Sequence, residues 1–293
     1  MLAVKILEEQ GIEVVGLTFV SPFFGAEMAK KSAKEIGMKL WIKDFSREHL
    51  KMMKNPKHGF GKNMNPCIDC HALMFRLAKA EMRKGEFDFL ATGEVLGERP
   101  MSQNKQSLFI VEKEAGLAGK LLRPLSAKLL PETEIEKSGK VDREKLLDIS
   151  GRGRNRQIIL AKKYGLVEFP TPSGGCKLTE KEFSKKLKNL LKINPKAHSE
   201  EIEILNIGRH VFRDEIHFII GRNQEENVKL KNLKVGKHLA AQAHEVPGPV
   251  ILVQCYGNQK KEKENLEKEI QEMLFRYNSK AKKFGKISIE WLE

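Results

Sequence analysis

Four cysteines are spread over 293 residues, and three of them stand where thiols do chemistry. Cys67 and Cys70 lie in Asn65-Pro66-Cys67-Ile68-Asp69-Cys70-His71, after the basic, glycine-rich loop Lys57-His58-Gly59-Phe60-Gly61-Lys62. A run of good helix formers, Ala72 to Lys79, follows directly. Thiols at a helix start meet unpaired N–H groups and the positive end of the dipole, which favour the thiolate that binds metal and attacks electrophiles. Cys176 sits far along the chain in another glycine-rich turn, Ser173-Gly174-Gly175-Cys176. The fold is expected to bring these three sulfurs together.

The residue types leave three chemistries open: an iron–sulfur cluster, a cysteine pair that works without a cofactor, and a zinc site. Zinc wants four ligands, and His71 or Cys176 would complete the set. Neighbouring helical residues point different ways, so Cys70 and His71 are poor joint ligands. Cys-x-x-Cys-His also spells a haem attachment site, but that chemistry needs an exported chain. Cys255, beside Tyr256 at a strand end, reads as a small buried hydrophobe.

The charge points outward. With 53 Lys and Arg against 39 Asp and Glu, the formal net charge is +14. That excess suits a polyanion, nucleic acid first, although a lysine-rich solvated surface would give the same sum. Lys62 and His58 beside the thiol loop, and Arg152, Arg154 and Arg156 farther on, are candidates for RNA phosphates. No apolar run approaches the ~20 residues of a membrane span and nothing near Met1 resembles a signal peptide. Few cysteines without an export signal argue for a reducing, cytoplasmic setting.

The elements that must position these groups alternate between strand and helix. Met1 to Gln10 has helical spacing with Gly11 beyond its end. Val14 to Val20 is a continuous apolar run of the kind buried on both faces of a parallel sheet. Gly25 to Ile36 reads as a helix, Lys39 to Lys43 as a strand, and Ser46 as the cap of a helix from Arg47 to Met53, with Met52, Met53 and Met74 as core. Phe87 to Thr92 reads as a strand ending at Gly93, Ser102 as the cap of the next helix, and Leu121 to Leu125 as the close of the first half. Alternation of this kind predicts an α/β fold with parallel strands. Thr18, Phe19, Gly93 and Glu94 fall at strand carboxyl ends, where such sheets bind ligands. A fold of this class opens on a strand and a turn, yet this chain begins inside the helix; either Met1 is not the natural start or a central piece of the sheet is missing. From Asp142 to Leu191 the pattern is helical, interrupted by Glu168 to Gly175. Past Asn194-Pro195 the character changes to short strands (Glu201 to Leu205, Val211 to Phe212, His217 to Ile220, Val250 to Val253). An amphipathic helix follows from Glu262 to Tyr277, then a last strand through Ile287, Ile289 and Trp291. Two domains are predicted, 1–193 and 198–293, the second α+β, with no internal repeat.

The order Asn65-Pro66-Cys67-Ile68-Asp69-Cys70, helix, then Phe87-Asp88-Phe89-Leu90-Ala91-Thr92-Gly93, then Arg123-Pro124-Leu125 resembles the tRNA thiouridylases of the PP-loop ATP pyrophosphatase superfamily. The likeness is nearest to the adenine-nucleotide α-hydrolase (Rossmann-like) domain of 4-thiouridine synthases and spans roughly residues 1–190. It implies that ATP with Mg2+ adenylates a uracil carbonyl oxygen and that sulfur from a donor displaces the adenylate. It also implies a [4Fe–4S] cluster on Cys67, Cys70 and Cys176 with one iron left without a protein ligand, with Cys70 and Cys176 catalytic. Thr18, Phe19, Gly93 and Glu94 would border the nucleotide. One departure stands out: the family's Ser-Gly-Gly-x-Asp-Ser phosphate turn is absent, so the inner strand edges beside Val14 to Val20 should be open, and the chain as given should bind ATP poorly or not at all.

The tail, Ile220-Gly221-Arg222-Asn223-Gln224-Glu225-Glu226-Asn227 with His244-Glu245-Val246-Pro247-Gly248-Pro249-Val250, resembles the RNA-binding NFACT-R domain of ribosome quality-control proteins. The resemblance implies RNA contacts at Arg222, Asn223 and His244. Together the two halves imply a tRNA sulfurtransferase; the competing reading is an RNA-binding protein with a structural metal and a degenerate nucleotide domain.

Overall fold

The computed structural model describes residues 1–168, 175–233, 238–256, 263–285 and 287–292. The chain divides into two units, Met1–Thr179 and Glu180–Glu293. The division falls ahead of the sequence-read boundary near Asn194-Pro195, because helix α8 (Lys181–Ile193) packs beside the first strand of the second unit.

In the first unit, α1 (Leu2–Glu8) leads to β1 (Gly16–Val20), α2 (Glu27–Ile36) and β2 (Leu40–Asp44). β1 and β2 run parallel, in register from Gly16–Leu40 to Val20–Asp44. Gly37 ends α2 in the left-handed region at φ 70°, which a side chain would resist. Helix α3 (Ser46–Lys54) follows, and Ser46 is already inside it: the Asp44 carboxylate, not the Ser46 hydroxyl, accepts the Ser46 N–H at 2.7 Å. After α4 (Cys67–Lys84) come β3 (Leu90–Ala91), α5 (Lys105–Ala115) and β4 (Leu121–Leu122). β3 and β4 are parallel and far shorter than the apolar run Phe87 to Thr92 predicts. Asn104, not Ser102, caps α5 by accepting the Ser107 N–H at 2.9 Å. A short helix, α6 (Glu134–Lys137), and α7 (Asn155–Lys163) complete the unit.

The two pairs of strands do not join. Among the described residues β1 pairs with β2 alone and β3 with β4 alone. Helix α4 spans both pairs on one side, packing Leu73, Met74 and Leu77 with Phe19 of β1 and Leu90 of β3. Helix α1 packs elsewhere: Ala3, Ile6 and Leu7 share a cluster with Val14 ahead of β1, Phe89 ahead of β3 and Leu122 of β4. β1 is therefore not the strand buried on both faces that its composition predicts. Only Phe19 in it is buried, and Leu17, Thr18 and Val20 are half-exposed. Among the described residues β1 pairs on one edge, and Val14 to Val20 are half-buried or buried, none of them exposed. These facts establish a mixed α/β unit with small parallel sheets.

The second unit adds α9 (Ser199–Ile204), β5 (Arg209–Arg213), β6 (Ile216–Ile220), α10 (Gln224–Asn232), β7 (Leu239–Ala243), β8 (Ile251–Cys255), α11 (Lys263–Tyr277), α12 (Ser279–Phe284) and β9 (Ile289–Leu292). Residues 201–205 are helical, not a strand: they fall in α9 and its cap, opened by Glu201 reaching back to the His198 N–H at 2.9 Å. The sheet is antiparallel in the order β5-β6-β8-β7-β9. Ile216, Phe218 and Ile220 face α11, and Ile219 faces α9 and α10, so every residue of β6 is buried. A strand covered on both faces reads as a continuous apolar run. Cys255, expected in the core, is exposed at the end of β8.

Candidate metal and thiol centre

Helix α4 begins at Cys67 with Pro66 as its cap residue, so Cys67 and Cys70 occupy its first turn. The loop before it is built around Asn65. Its amide Nδ2 donates to Cys67 Sγ at 3.2 Å, and its side-chain oxygen accepts the Asn63 N–H at 3.2 Å. Gly61 donates its N–H to the Asn65 carbonyl at 2.9 Å. A side chain at Gly61 would stand 2.5 Å from Asn65 Nδ2, so the glycine is needed for that approach. Asp69 fastens the same loop from the helix, accepting the N–H groups of Lys57 and His58 at 3.2 and 2.9 Å.

Cys176 arrives from its remote segment through backbone contacts. The Lys177 N–H donates to the Phe23 carbonyl at 3.0 Å, beside the turn that ends β1. Thr179 closes a turn on the Cys176 carbonyl through Oγ1 at 2.6 Å, and Asn63 Nδ2 donates to the Thr179 carbonyl at 2.7 Å. The segment that carries Cys176 thus stands against the loop ahead of Cys67 and Cys70. The Ser173-Gly174 part of the turn lies outside the described residues.

The environment of Cys70 differs from the expectation of a dipole-stabilised thiolate. Its side chain is buried, and burial first, then the neighbouring sulfurs of Cys176 and Cys67, push its pKa up. Desolvation outweighs the helix dipole here. Cys70 Sγ is 3.5 Å from Nε2 of His49, and His49 Nδ1 is 3.0 Å from Ser21 Oγ at the end of β1. His49 is fully buried, its ring stacked on Phe45 (centroids 4.6 Å, 19°) and edged by Phe23 (5.1 Å, 81°). Burial lowers its pKa to about 4, so the ring is neutral near pH 7. Among the described residues no three of His, Cys, Asp and Glu stand close enough to hold a single metal ion as they are. Of the three thiols, Cys70 is buried and Cys67 and Cys176 are half-buried.

His71 turns away from the sulfurs and joins a buried ionic chain. Its Nδ1 lies 2.8 Å from Glu94 Oε1, Arg123 Nε donates to Glu94 Oε2 at 3.0 Å, and Arg123 Nη1 pairs with Glu112. Burial alone would raise the Glu94 pKa; His71 and Arg123 more than offset it and hold the carboxyl below its usual range. Of the residues expected at a nucleotide, Glu94 is thus committed to a structural network, Phe19 is in the core, and Thr18 and Gly93 flank the open strand edges. Among the described residues these four form no glycine-rich phosphate cradle for a triphosphate.

Lys62 and Arg152 are exposed, and Arg154 lies 3.9 Å from Glu98. In the second unit Arg222, Asn223 and His244 are all exposed. Arg222 clamps Glu226 through Nε at 3.0 Å to each oxygen, and Asn223 caps α10 through the Glu226 N–H at 2.9 Å. The two motif turns meet at Asn227, which donates to the Gly248 carbonyl at 3.2 Å and accepts the Val250 N–H at 3.0 Å. A side chain at Gly221 would collide with Asn227 at 2.0 Å, so that glycine keeps the turns together.

Sequence reasoning missed His49. Its signal is its place on α3: with Leu50 and Met53 it forms the buried stripe of that helix, one turn beyond Phe45. No protein-family model matches the chain, and no curated protein or solved structure is significantly similar to it.

Proposed function

We propose that the chain is the sulfur-transferring and RNA-holding portion of a tRNA thiouridine-forming enzyme. The single observation that carries the reading is that the turn of Cys176, remote in sequence, is fastened to the loop ahead of Cys67 and Cys70, the Asn63 amide donating to the Thr179 carbonyl at 2.7 Å. Cys67, Cys70 and Cys176 would hold a [4Fe–4S] cluster, whose chemistry is to present sulfide to an activated base. The chain's own residues do the rest of the work at that site. Asn65 orients Cys67, Asp69 ties the basic loop to the helix start, and Phe24 and Phe45 pack in one cluster with Cys70. Lys62, exposed in the loop ahead of Cys67, would meet an RNA phosphate.

A uracil carbonyl oxygen is a poor leaving group, and the resemblance assigns its activation to ATP and Mg2+. No step through ATP is derived from this chain, because its residues supply no phosphate cradle. The open inner edges of β1 and β3 are where the resemblance puts the strand that carries that cradle. A sulfur donor must recharge the site after each transfer.

Anaerobic reconstitution with ferrous iron and sulfide tests the reading. Roughly four irons and four sulfides per chain are expected, with the visible absorption of a cluster. Stoichiometric zinc in their place, or no bound metal, refutes it.

A further inference from the structure

We propose that the second unit holds the RNA backbone at one end of the seam between β5 and α11, where Arg209 and Arg276 flank Tyr277, and along the outer face of α12. This rests on the reading above that the chain holds tRNA, and it names the surface that does so. The strand register places the first arginine. Arg209 pairs with Ile220 and Arg213 with Ile216, and both isoleucines face α11, so both arginines lie on the helix side of the edge strand β5. Their partners differ. Arg213 is forked onto Glu272 through Nη1 and Nη2 at 2.8 and 2.9 Å. Arg209, which is exposed, has a ring in place of a carboxylate: its guanidinium carbon stands 5.4 Å from the centroid of Tyr277. Arg276, also exposed, stands over the same ring at 5.4 Å. Glu272, one turn before Arg276, is already taken by Arg213, and among the described residues neither Arg209 nor Arg276 has an ion-pair partner. Two like charges this close repel within a screening length of about 8 Å, and an exposed ring returns only about 0.5–1 kcal/mol to each. A phosphate between them removes the repulsion, and a guanidinium stacked on a ring keeps N–H donors at its edge for phosphate oxygens.

Helix α12 extends the charge. The buried side chain of Asn278 sets its direction by accepting the N–H groups of Lys280 and Ala281 at 3.0 and 3.3 Å. Ala281 enters the core, which leaves Lys280, Lys282 and Lys283 in solvent, again without an acidic partner among the described residues. Phe284 ends the helix 59% exposed. Cations interleaved with exposed rings match looped or single-stranded RNA, whose bases stack on aromatic side chains while its backbone follows the charge. Arg222 and Asn223, the positions the resemblance favours, spend their side chains on Glu226 and on the cap of α10.

The test is fluorescence anisotropy of a labelled, unmodified tRNA transcript titrated with the full chain. Arg209→Gln combined with Arg276→Gln should weaken binding at least about tenfold. It should also lower the slope of log affinity against log salt by roughly one to two, since about 0.7–0.9 is lost per phosphate contact. Lys229→Gln combined with Lys231→Gln removes the same charge from α10 and should change affinity by less than about twofold. Ultraviolet cross-linking of the wild type to the same tRNA, read by mass spectrometry, should place adducts between Tyr277 and Phe284, a result independent of how the variants fold. Equal losses in the two double variants would overturn the proposal, because net charge alone would then set affinity. Adducts confined to peptides holding Arg222, Asn223 or His244 would overturn it while leaving the RNA-holding reading intact. A wild type that binds no tRNA would overturn that reading and this surface with it. Binding to anionic lipid vesicles in place of tRNA would overturn both in favour of a membrane-facing patch.

Discussion

Cys70 is pulled in two directions, by a helix start that favours charge and by a pocket that forbids it. Burial wins and pushes the thiol pKa up; under the proposed function a metal would take the place of its proton. Cys70→Ser should therefore lose at least half of the reconstituted iron while the second unit keeps its fold; iron analysis with hydrogen exchange over β6 checks both. A variant with full iron content would show that this sulfur is not a ligand. Arg123 has a different task. It is 3% exposed and lies between Glu94 and Glu112, themselves buried. Arg123→Met should destabilise the first unit by about 3–5 kcal/mol, since it strands two buried carboxylates and frees His71. Urea unfolding followed by near-ultraviolet circular dichroism measures it, and a loss under about 1 kcal/mol would show that the carboxylates are protonated or hydrated in the variant.

Among the elements, β1 and β6 make an instructive pair. Both are apolar runs, yet β6 is covered by helices on both faces and paired on both edges, while among the described residues β1 pairs on one edge. Amides of Gly16 to Val20 should exchange at least roughly tenfold faster than those of Ile216 to Ile220, by mass spectrometry of exchanged peptides. Equal protection would mean that the inner edge of β1 is covered in solution. The second sheet also carries a buried histidine chain: His210 Nδ1 lies 2.9 Å from His217 Nε2, and His217 Nδ1 lies 2.9 Å from Gln254 Oε1. Burial lowers the His217 pKa to about 3. An unfolded histidine titrates near 6.5, so between roughly pH 6.5 and 3 the unfolded chain binds the proton and the folded one does not. Stability of the second unit should then fall as pH drops through that window, at up to about 1.4 kcal/mol per pH unit for this proton. His217→Gln should flatten the acid limb in a urea-midpoint series from pH 7 to 4. An unchanged slope would remove His217 as its source.

At the scale of the whole molecule, the proposed function would have the +14 charge meet tRNA. Binding of tRNA to the full chain should weaken roughly tenfold or more between about 50 and about 200 mM salt, as counterion release requires. Salt-independent affinity would place the charge on a merely solvated surface. No helix among the described residues is long and apolar enough to cross a membrane.

Local chemistry was readable from the sequence because it is local. The first-turn position of Cys67 and Cys70, the left-handed end of α2 at Gly37 and the amphipathic stripe of α11 each depend on residues within a turn or two. What lay beyond that reach went astray. Residues 201–205 have the apolar alternation of a strand, but the cap at His198 and the face shared with Ile219 make them helical. Cys255 has the composition of a core site, yet it ends its strand in solvent. His49 looked like any helix residue until the fold set it between Ser21 and Cys70. Spacing and residue type determined which groups hold thiols, charge and turns. Only the tertiary structure decided which of them are buried, and burial sets whether a thiol ionises, a histidine stays neutral and a carboxylate needs a partner.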